Sequence, residues 1–137
     1  HEDRLILSLP NDVLFDSGST DVNERGKRAL FILGDILNRI RNGIEIVGHS
    51  DPVQITNTSG RYQSNWELSL ARALSTGGVL RDVGYDRALL VRGLSSAGYD
   101  ELPETLPEEE RMALSRRVDI LILKGSGKIR NAVETLF

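Results

Sequence analysis

One short segment, Gly48-His49-Ser50-Asp51, holds a histidine, a hydroxyl and a carboxylate side by side. Such groups could serve nucleophilic or general-base chemistry if a fold aligned them. The chain has two histidines, and with His1 at its first position a Ser-His-Asp site would have to use His49. No Gly-x-Ser-x-Gly elbow marks a nucleophile, and no HExxH or EF-hand pattern marks a metal site. Cysteine is absent, which removes thiolate ligands and cysteine nucleophiles. The Gly-x-Gly at 125–127 lacks the strand and helix spacing of a phosphate loop. A structural histidine in a strand-end turn accounts for His49 better than catalysis does. No catalytic residue, metal or cofactor is expected.

A binding site fits the residues better. Asp51 falls just past an apolar strand, Ile44-Glu-Ile-Val47, and Arg72 lies two turns into a helix, one turn beyond Ser69. Ligands of α/β sheets collect where strand ends face helix starts. An aspartate and an arginine there offer opposite charges to a zwitterion: the guanidinium can grip a carboxylate through a two-pronged fork, and the aspartate accepts from an ammonium group. Spacing alone describes a plain salt bridge between Asp51 and Arg72 at least as well.

The elements that must position these groups follow from periodicity. Leu5, Leu7 and Leu9 alternate along a first strand, closed by Pro10-Asn11-Asp12, with Val13-Leu-Phe15 as a short extension. A helix over 21–41 is expected, capped by Asp21 with Glu24, its apolar stripe formed by Ala29, Leu33, Ile36, Leu37 and Ile40 and its end set by Asn42-Gly43. Residues 53–63 read as a loop, and the Asn57-Thr-Ser59 glycosylation match within it as chance. Ser64 with Glu67 is a capping box opening a helix to about 83, stopped by Gly84 and burying Ala71, Leu74, Gly78 and Val79. Ala88 to Val91 form a third strand. Pro107, at a first helical turn, and Glu108 to Glu110 start a short helix to about 115, and Val118 to Leu123 are a fourth strand. The order is β-α-β-α-β-α-β, an α/β sandwich with helices covering a small sheet.

With 137 residues, 39% hydrophobic and 27% charged, the chain is sized for one domain with a contiguous core. The formal charge of −3 argues against nucleic acid as the main partner. Basic groups at Arg25-Gly-Lys27-Arg28 and Arg116-Arg117 are surrounded by acids. No apolar run is long enough to span a bilayer, and no signal peptide is visible. The sequence reads as a fragment whose targeting and anchoring segments lie upstream.

Four blocks in order carry a resemblance: Val13-Leu-Phe-Asp-Ser-Gly-Ser19, Val47-Gly-His-Ser-Asp51, Ser64-Asn-Trp-Glu-Leu-Ser-Leu-Ala-Arg-Ala73 and Ser115-Arg-Arg-Val-Asp119. Together they resemble the OmpA C-terminal-like (OmpA/MotB) domain over roughly residues 5–123. The Ser-Asn-Trp-Glu-Leu-Ser form and the Pro-Val-Gln-Ile after Asp51 are closest to the MotB flagellar stator branch. The resemblance implies an α+β fold with a mixed four-stranded sheet whose last strand is antiparallel to the others. It implies non-covalent binding of peptidoglycan stem peptides, with Asp51 meeting the diaminopimelate ammonium and Arg72 its carboxylate. Ser50 stands where Thr is usual. Arg116 and Arg117 match paired arginines, of which strand alternation lets one face the pocket; Arg116 is expected there. Ser69 completes the candidate set.

Three departures stand out. Ser115 replaces the usual Asn, Gly93-Leu94-Ser95 the usual Gly-Tyr-Gly, and Leu106-Pro107-Glu108 lies in a patch of six carboxylates between Asp100 and Glu110 that reads as solvated surface. The expected domain is 1–124, followed by a linker and tail over 125–137. The parent implied is a periplasmic wall anchor held in the inner membrane, homodimeric and bound to membrane subunits. A protein–protein module on the same fold, or a peptidoglycan hydrolase using His49, are the alternatives.

Overall fold

The computed structural model describes residues 5–53 and 64–123. Strand β1 (Leu5–Pro10) leads into a single helical turn α1 (Asn11–Leu14), then α2 (Glu24–Ile40), β2 (Ile44–Gly48), α3 (Asn65–Asp82) and β3 (Leu89–Gly93). A short α4 (Ala97–Asp100), α5 (Glu108–Ser115) and β4 (Arg117–Ile122) complete it. The sheet order is β1-β4-β2-β3. β4 runs antiparallel to both β1 and β2, while β2 and β3 are parallel. The last strand is antiparallel to the others, as the resemblance implies, and it lies in the middle of the sheet. That position buries Val118 and Ile120 completely, beside Ile44 and Ile46 of β2.

Helices α2 and α3 cover one face. Leu14, Leu30, Leu37, Ala73, Leu80 and Tyr85 close the core between them and the sheet. The Tyr85 hydroxyl donates to the Asn42 carbonyl at 2.6 Å, tying the turn after α3 to the chain entering β2.

Several local expectations need correction. α2 is capped by Asn23, not Asp21: the Asn23 side chain accepts the Gly26 N–H at 2.7 Å. Asp21 lies too early because Val22 is still extended, bridged to Phe15. The buried stripe of α2 is Gly26, Leu30, Gly34 and Leu37; Ile36 and Ile40 are exposed, because a helix with apolar residues on several sides does not reveal which side faces the sheet. Its end is made by Arg41 in the left-handed conformation (φ 62°), not by Gly43. In α3 the Ser64 cap forms as expected, its side chain accepting from the Glu67 N–H at 3.2 Å. The buried side, however, is Ser69, Ala73, Thr76, Gly77 and Leu80, with Leu74 exposed. Small and polar residues, invisible to a hydrophobic count, face the sheet. Val13 and Leu14 form the turn α1 instead of extending β1, and Pro107 is the cap of α5. The acidic residues from Asp100 to Glu110 are all exposed. The 125–137 tail, the domain boundary at 124 and the glycosylation match fall outside the described residues.

Candidate functional site

Two glycines set how closely α3 lies on the sheet. Gly48 and Gly93 are register partners at the ends of β2 and β3. A Cβ on Gly48 would collide with the Ser69 carbonyl, and one on Gly93 would stand 2.6 Å from the Leu70 nitrogen. The first turns of α3 therefore rest directly on strand backbone. The buried Ser69 hydroxyl donates to the Trp66 carbonyl and accepts the Ser95 N–H, both at 3.1 Å. Ser95 is itself left-handed (φ 52°), and its carbonyl accepts the Ser50 N–H at 2.8 Å. Asn65, the first residue of α3, donates to the carbonyls of Asp51 (3.3 Å) and Val53 (2.9 Å). The backbone leading into and out of Asp51 is thereby held from two sides.

Charges gather at that end of the sheet. One Asp51 carboxylate oxygen accepts from Arg116 Nη1 at 2.7 Å, the other from the Val53 N–H at 3.0 Å. The Asp51 side chain is 18% exposed and that of Arg116 42%. Arg116 and Arg72 line one cavity of about 490 Å³, together with Asn11, Phe15, Asp16 and Gly18. Arg72 Nε donates to the Ser19 carbonyl at 3.0 Å, and its guanidinium carbon stands 5.2 Å from the centre of the Phe15 ring, within cation–π range. Asp16 is steadied by Asn23 Nδ2 at 3.1 Å.

Of the five residues singled out from the sequence, Asp51, Arg72 and Arg116 are thus brought to one place: two line the cavity and the third is bonded to its wall. Asp51 has Arg116 as an ion-pair partner, a pairing that spacing did not foretell. Ser50 and Ser69 do not offer their hydroxyls to the cavity. Ser50 donates to the carbonyl of Asp51 at 3.1 Å, and Ser69 is buried against the sheet. Both position the site from beneath. Ser69 went astray because a hydroxyl one turn from an arginine looks like a co-ligand until the glycines opposite it are seen. Asn11, Phe15, Asp16 and Asn23 escaped attention as site residues; three of the four lie in or just before the first resemblance block.

Arg117 takes the opposite face of β4. Its Nε donates to both oxygens of Asp119 at 3.2 Å, Ser8 Oγ donates to Asp119 at 2.6 Å, and His49 Nε2 lies 3.1 Å from the same carboxylate. Burial pushes the Asp119 carboxyl up, but the hydrogen bonds from His49 and Ser8 and the charge of Arg117 outweigh it, holding it below its ordinary value. Ser8 bonds the carboxylate rather than the imidazole, and among the described residues His49 Nδ1 has no hydrogen-bond partner. Among those residues no hydroxyl is bonded to the imidazole as an activated nucleophile would be. The His49 ring is buried beside Asp119. Among the described residues no group of three or more His, Cys, Asp or Glu is placed to hold a metal, and no helix is long and apolar enough to cross a membrane.

A second cavity of about 550 Å³ lies between α2 and α3, lined by Phe31, Ile32, Val79 and Val83 with charges at its rim. Though larger, it is mainly apolar, with Glu24, Lys27, Arg28 and Asp82 around it; the candidate site is the strand-end cavity, where Asp51, Arg72 and Arg116 gather.

The fold is a mixed α/β domain with a polar cavity at the strand ends. The chain belongs to the OmpA family, whose pattern matches residues 14–112. It is 31% identical over 118 residues to motility protein B of Escherichia coli, covering 86% of this chain and 37% of that protein. A MotB-like protein from Desulfovibrio vulgaris superposes with a TM-score of 0.79 at 28% identity, covering 90% of this chain and 78% of the other. The cell wall anchor of the type VI secretion system from Pseudomonas aeruginosa superposes with a TM-score of 0.74 at 30% identity, covering 88% and 81%. The chain spans about half, or less, of the length of these curated relatives.

Proposed function

We propose that this domain binds peptidoglycan non-covalently and anchors a larger inner-membrane complex to the cell wall from the periplasm. The observation that carries this reading is the convergence of Asp51, Arg116 and Arg72 on one open, polar cavity at the strand ends. A zwitterionic diaminopimelate side chain needs a cation for its carboxylate and an anion for its ammonium; Arg72 supplies the first and Asp51 the second. In the free domain Arg116 occupies Asp51. That pair is part-exposed, so exchanging it for a ligand ammonium, with Arg116 turning to the ligand carboxylate, costs little.

The work is mechanical rather than catalytic. The likeness to motility protein B and to a secretion-system wall anchor favours a flagellar-type stator as the parent, bound to membrane subunits through segments outside this chain. Pairing two copies would turn a modest single-site affinity into firm retention, because the second binding event becomes intramolecular.

Purified sacculi provide the test. The domain should pellet with them, and Asp51→Ala and Arg72→Ala, both still folded, should stay in the supernatant. Failure of the wild-type domain to pellet would favour a protein–protein module on this fold, and release of soluble muropeptides would indicate a hydrolase.

A further inference from the structure

Helix α2 carries large apolar side chains on its outer side: Phe31 and Ile32 are each 63% exposed, Ile36 52% and Ile40 37%. Ile32, Ile36 and Ile40 follow at four-residue spacing, so they form a stripe about 12 Å long on one side of the helix. Toward the N-terminus of α2 the stripe runs into the apolar groove, which Phe31 and Ile32 line together with Val79 and Val83 of α3. Contiguous exposed apolar surface of this kind marks a contact site. Toward the C-terminus of α2 the stripe reaches the place where the chain leaves β4. The Leu123 N–H donates to the Gly43 carbonyl at 2.9 Å, and the Leu123 carbonyl accepts from Asn42 Nδ2 at 2.8 Å. The residues after Leu123 therefore start beside the segment that closes α2, next to Ile40. Their sequence matches the stripe in pattern and in length. Gly125-Ser126-Gly127 is turn chemistry, and Ile129, Ala132, Val133 and Leu136 recur at the spacing of one apolar helix face. As a helix, Ile129 to Leu136 would cover about 10 Å, close to the length of the stripe. So short a helix needs an apolar surface to pack on, because alone in water it is marginal.

We propose that residues 129–137 dock as an amphipathic helix antiparallel to α2, setting Ile129, Val133 and Leu136 against Ile40, Ile36 and Ile32. The occupant of the stripe is then the chain's own continuation past β4. Its point of departure lies at the end of the sheet away from Asp51, since Ile122 pairs with Ile44 at the start of β2 and Asp51 follows the end of that strand. The docked helix therefore leaves the strand-end cavity open, and the inference stands apart from the peptidoglycan reading.

Cysteine is absent from the chain, so a pair of substitutions allows one intramolecular disulfide and no other. In the full chain, Ile36→Cys with Val133→Cys should close under mild oxidation about tenfold faster than Leu74→Cys with Val133→Cys, read by mass spectrometry. Leu74 is the matched control: it is 55% exposed on α3 but lies about 140° around that helix from Val79, away from the groove. Equal rates for the two pairs, or closure in neither, overturn the proposal. So does a disulfide that forms only between two chains, which would assign the stripe to a second copy. A dye that fluoresces on exposed apolar surface gives a reading free of cysteines, and it decides alone should a cysteine pair fail to fold. Val133→Asp with Leu136→Asp, its fold checked by circular dichroism, should raise the fluorescence severalfold over the wild type. Unchanged fluorescence would show that the stripe was never covered by this segment.

Discussion

Arg116 and Arg117 are neighbours in sequence, yet each meets an aspartate in a different setting. Arg116 reaches Asp51 at the mouth of a cavity, where the two side chains are 42% and 18% exposed; Arg117 and Asp119 are 18% and 11% exposed on the other face, with His49 and Ser8 closing around the carboxylate. Arg116 closes α5 and Arg117 opens β4, their guanidiniums reach different aspartates, and local burial then decides what each pair can do. A part-exposed pair contributes little to stability and can be exchanged for a ligand. A shielded pair with every partner in place is hard to open, and losing one member strands the others. On the proposed reading, binding and stability fall to two neighbouring arginines that face different surroundings.

Removing Asp119 should produce the largest effect. Asp119→Ala leaves Arg117 without its counter-charge and His49 Nε2 without its hydrogen-bond partner, and should destabilise the fold by about 3 kcal/mol, read by denaturant unfolding, while the folded fraction retains its affinity for sacculi. Loss of binding in folded Asp119→Ala would show that the two faces are not independent.

Acid should expose the same network. The folded-state carboxyl of Asp119 lies below its ordinary value of 3.8, so its contribution is present above that pH and is lost as the pH falls through the lowered value. Stability measured between pH 5 and pH 2 should drop in the wild type, and Asp119→Asn should flatten part of that fall. An unchanged acid limb would remove Asp119 as its source.

Asn23→Ala should cost about 1 kcal/mol through the lost α2 cap. It also frees Asp16 at the cavity wall, so a modest loss of affinity should accompany the fall in melting temperature. The smallest stability change is expected for Asp51→Ala, under about 1 kcal/mol because the pair is part-exposed, against a complete loss of sacculus binding. A large destabilisation there would make Asp51 a structural residue like Asp119.

How much of this was legible beforehand differs by element. The strands, the Ser64 cap and the Gly84 stop carry local signals, and the four resemblance blocks implied a mixed sheet with an antiparallel last strand, though not the strand order. The buried faces of α2 and α3 were misread in part, Leu37 of α2 being buried as expected. α2 is apolar on several sides, and α3 turns Ser69, Ala73 and Thr76 inward because Gly48 and Gly93 let it touch strand backbone; that contact is set by residues outside the helix, 17 positions before its start and 11 after its end. Asp51 and Arg72 stood out because opposite charges at a strand end and a helix start suggest a site. Asn11 did not, since an asparagine after Pro10 is ordinary turn chemistry, and its place in the cavity lining becomes visible only when its neighbours are placed. The substitution of Ser95 for a usual glycine is accommodated by its hydrogen bonds to Ser69 and Ser50, despite a positive φ.

The sharpest test follows an isotope-labelled domain by NMR while the soluble tripeptide is added. Resonances of the Arg72 and Arg116 guanidinium groups and of the Gly18 and Ser50 backbone should shift together and saturate. Shifts confined to Phe31, Ile32 and Val79 in the apolar groove, or none at saturating peptide, would contradict a zwitterion held between Asp51 and the two arginines.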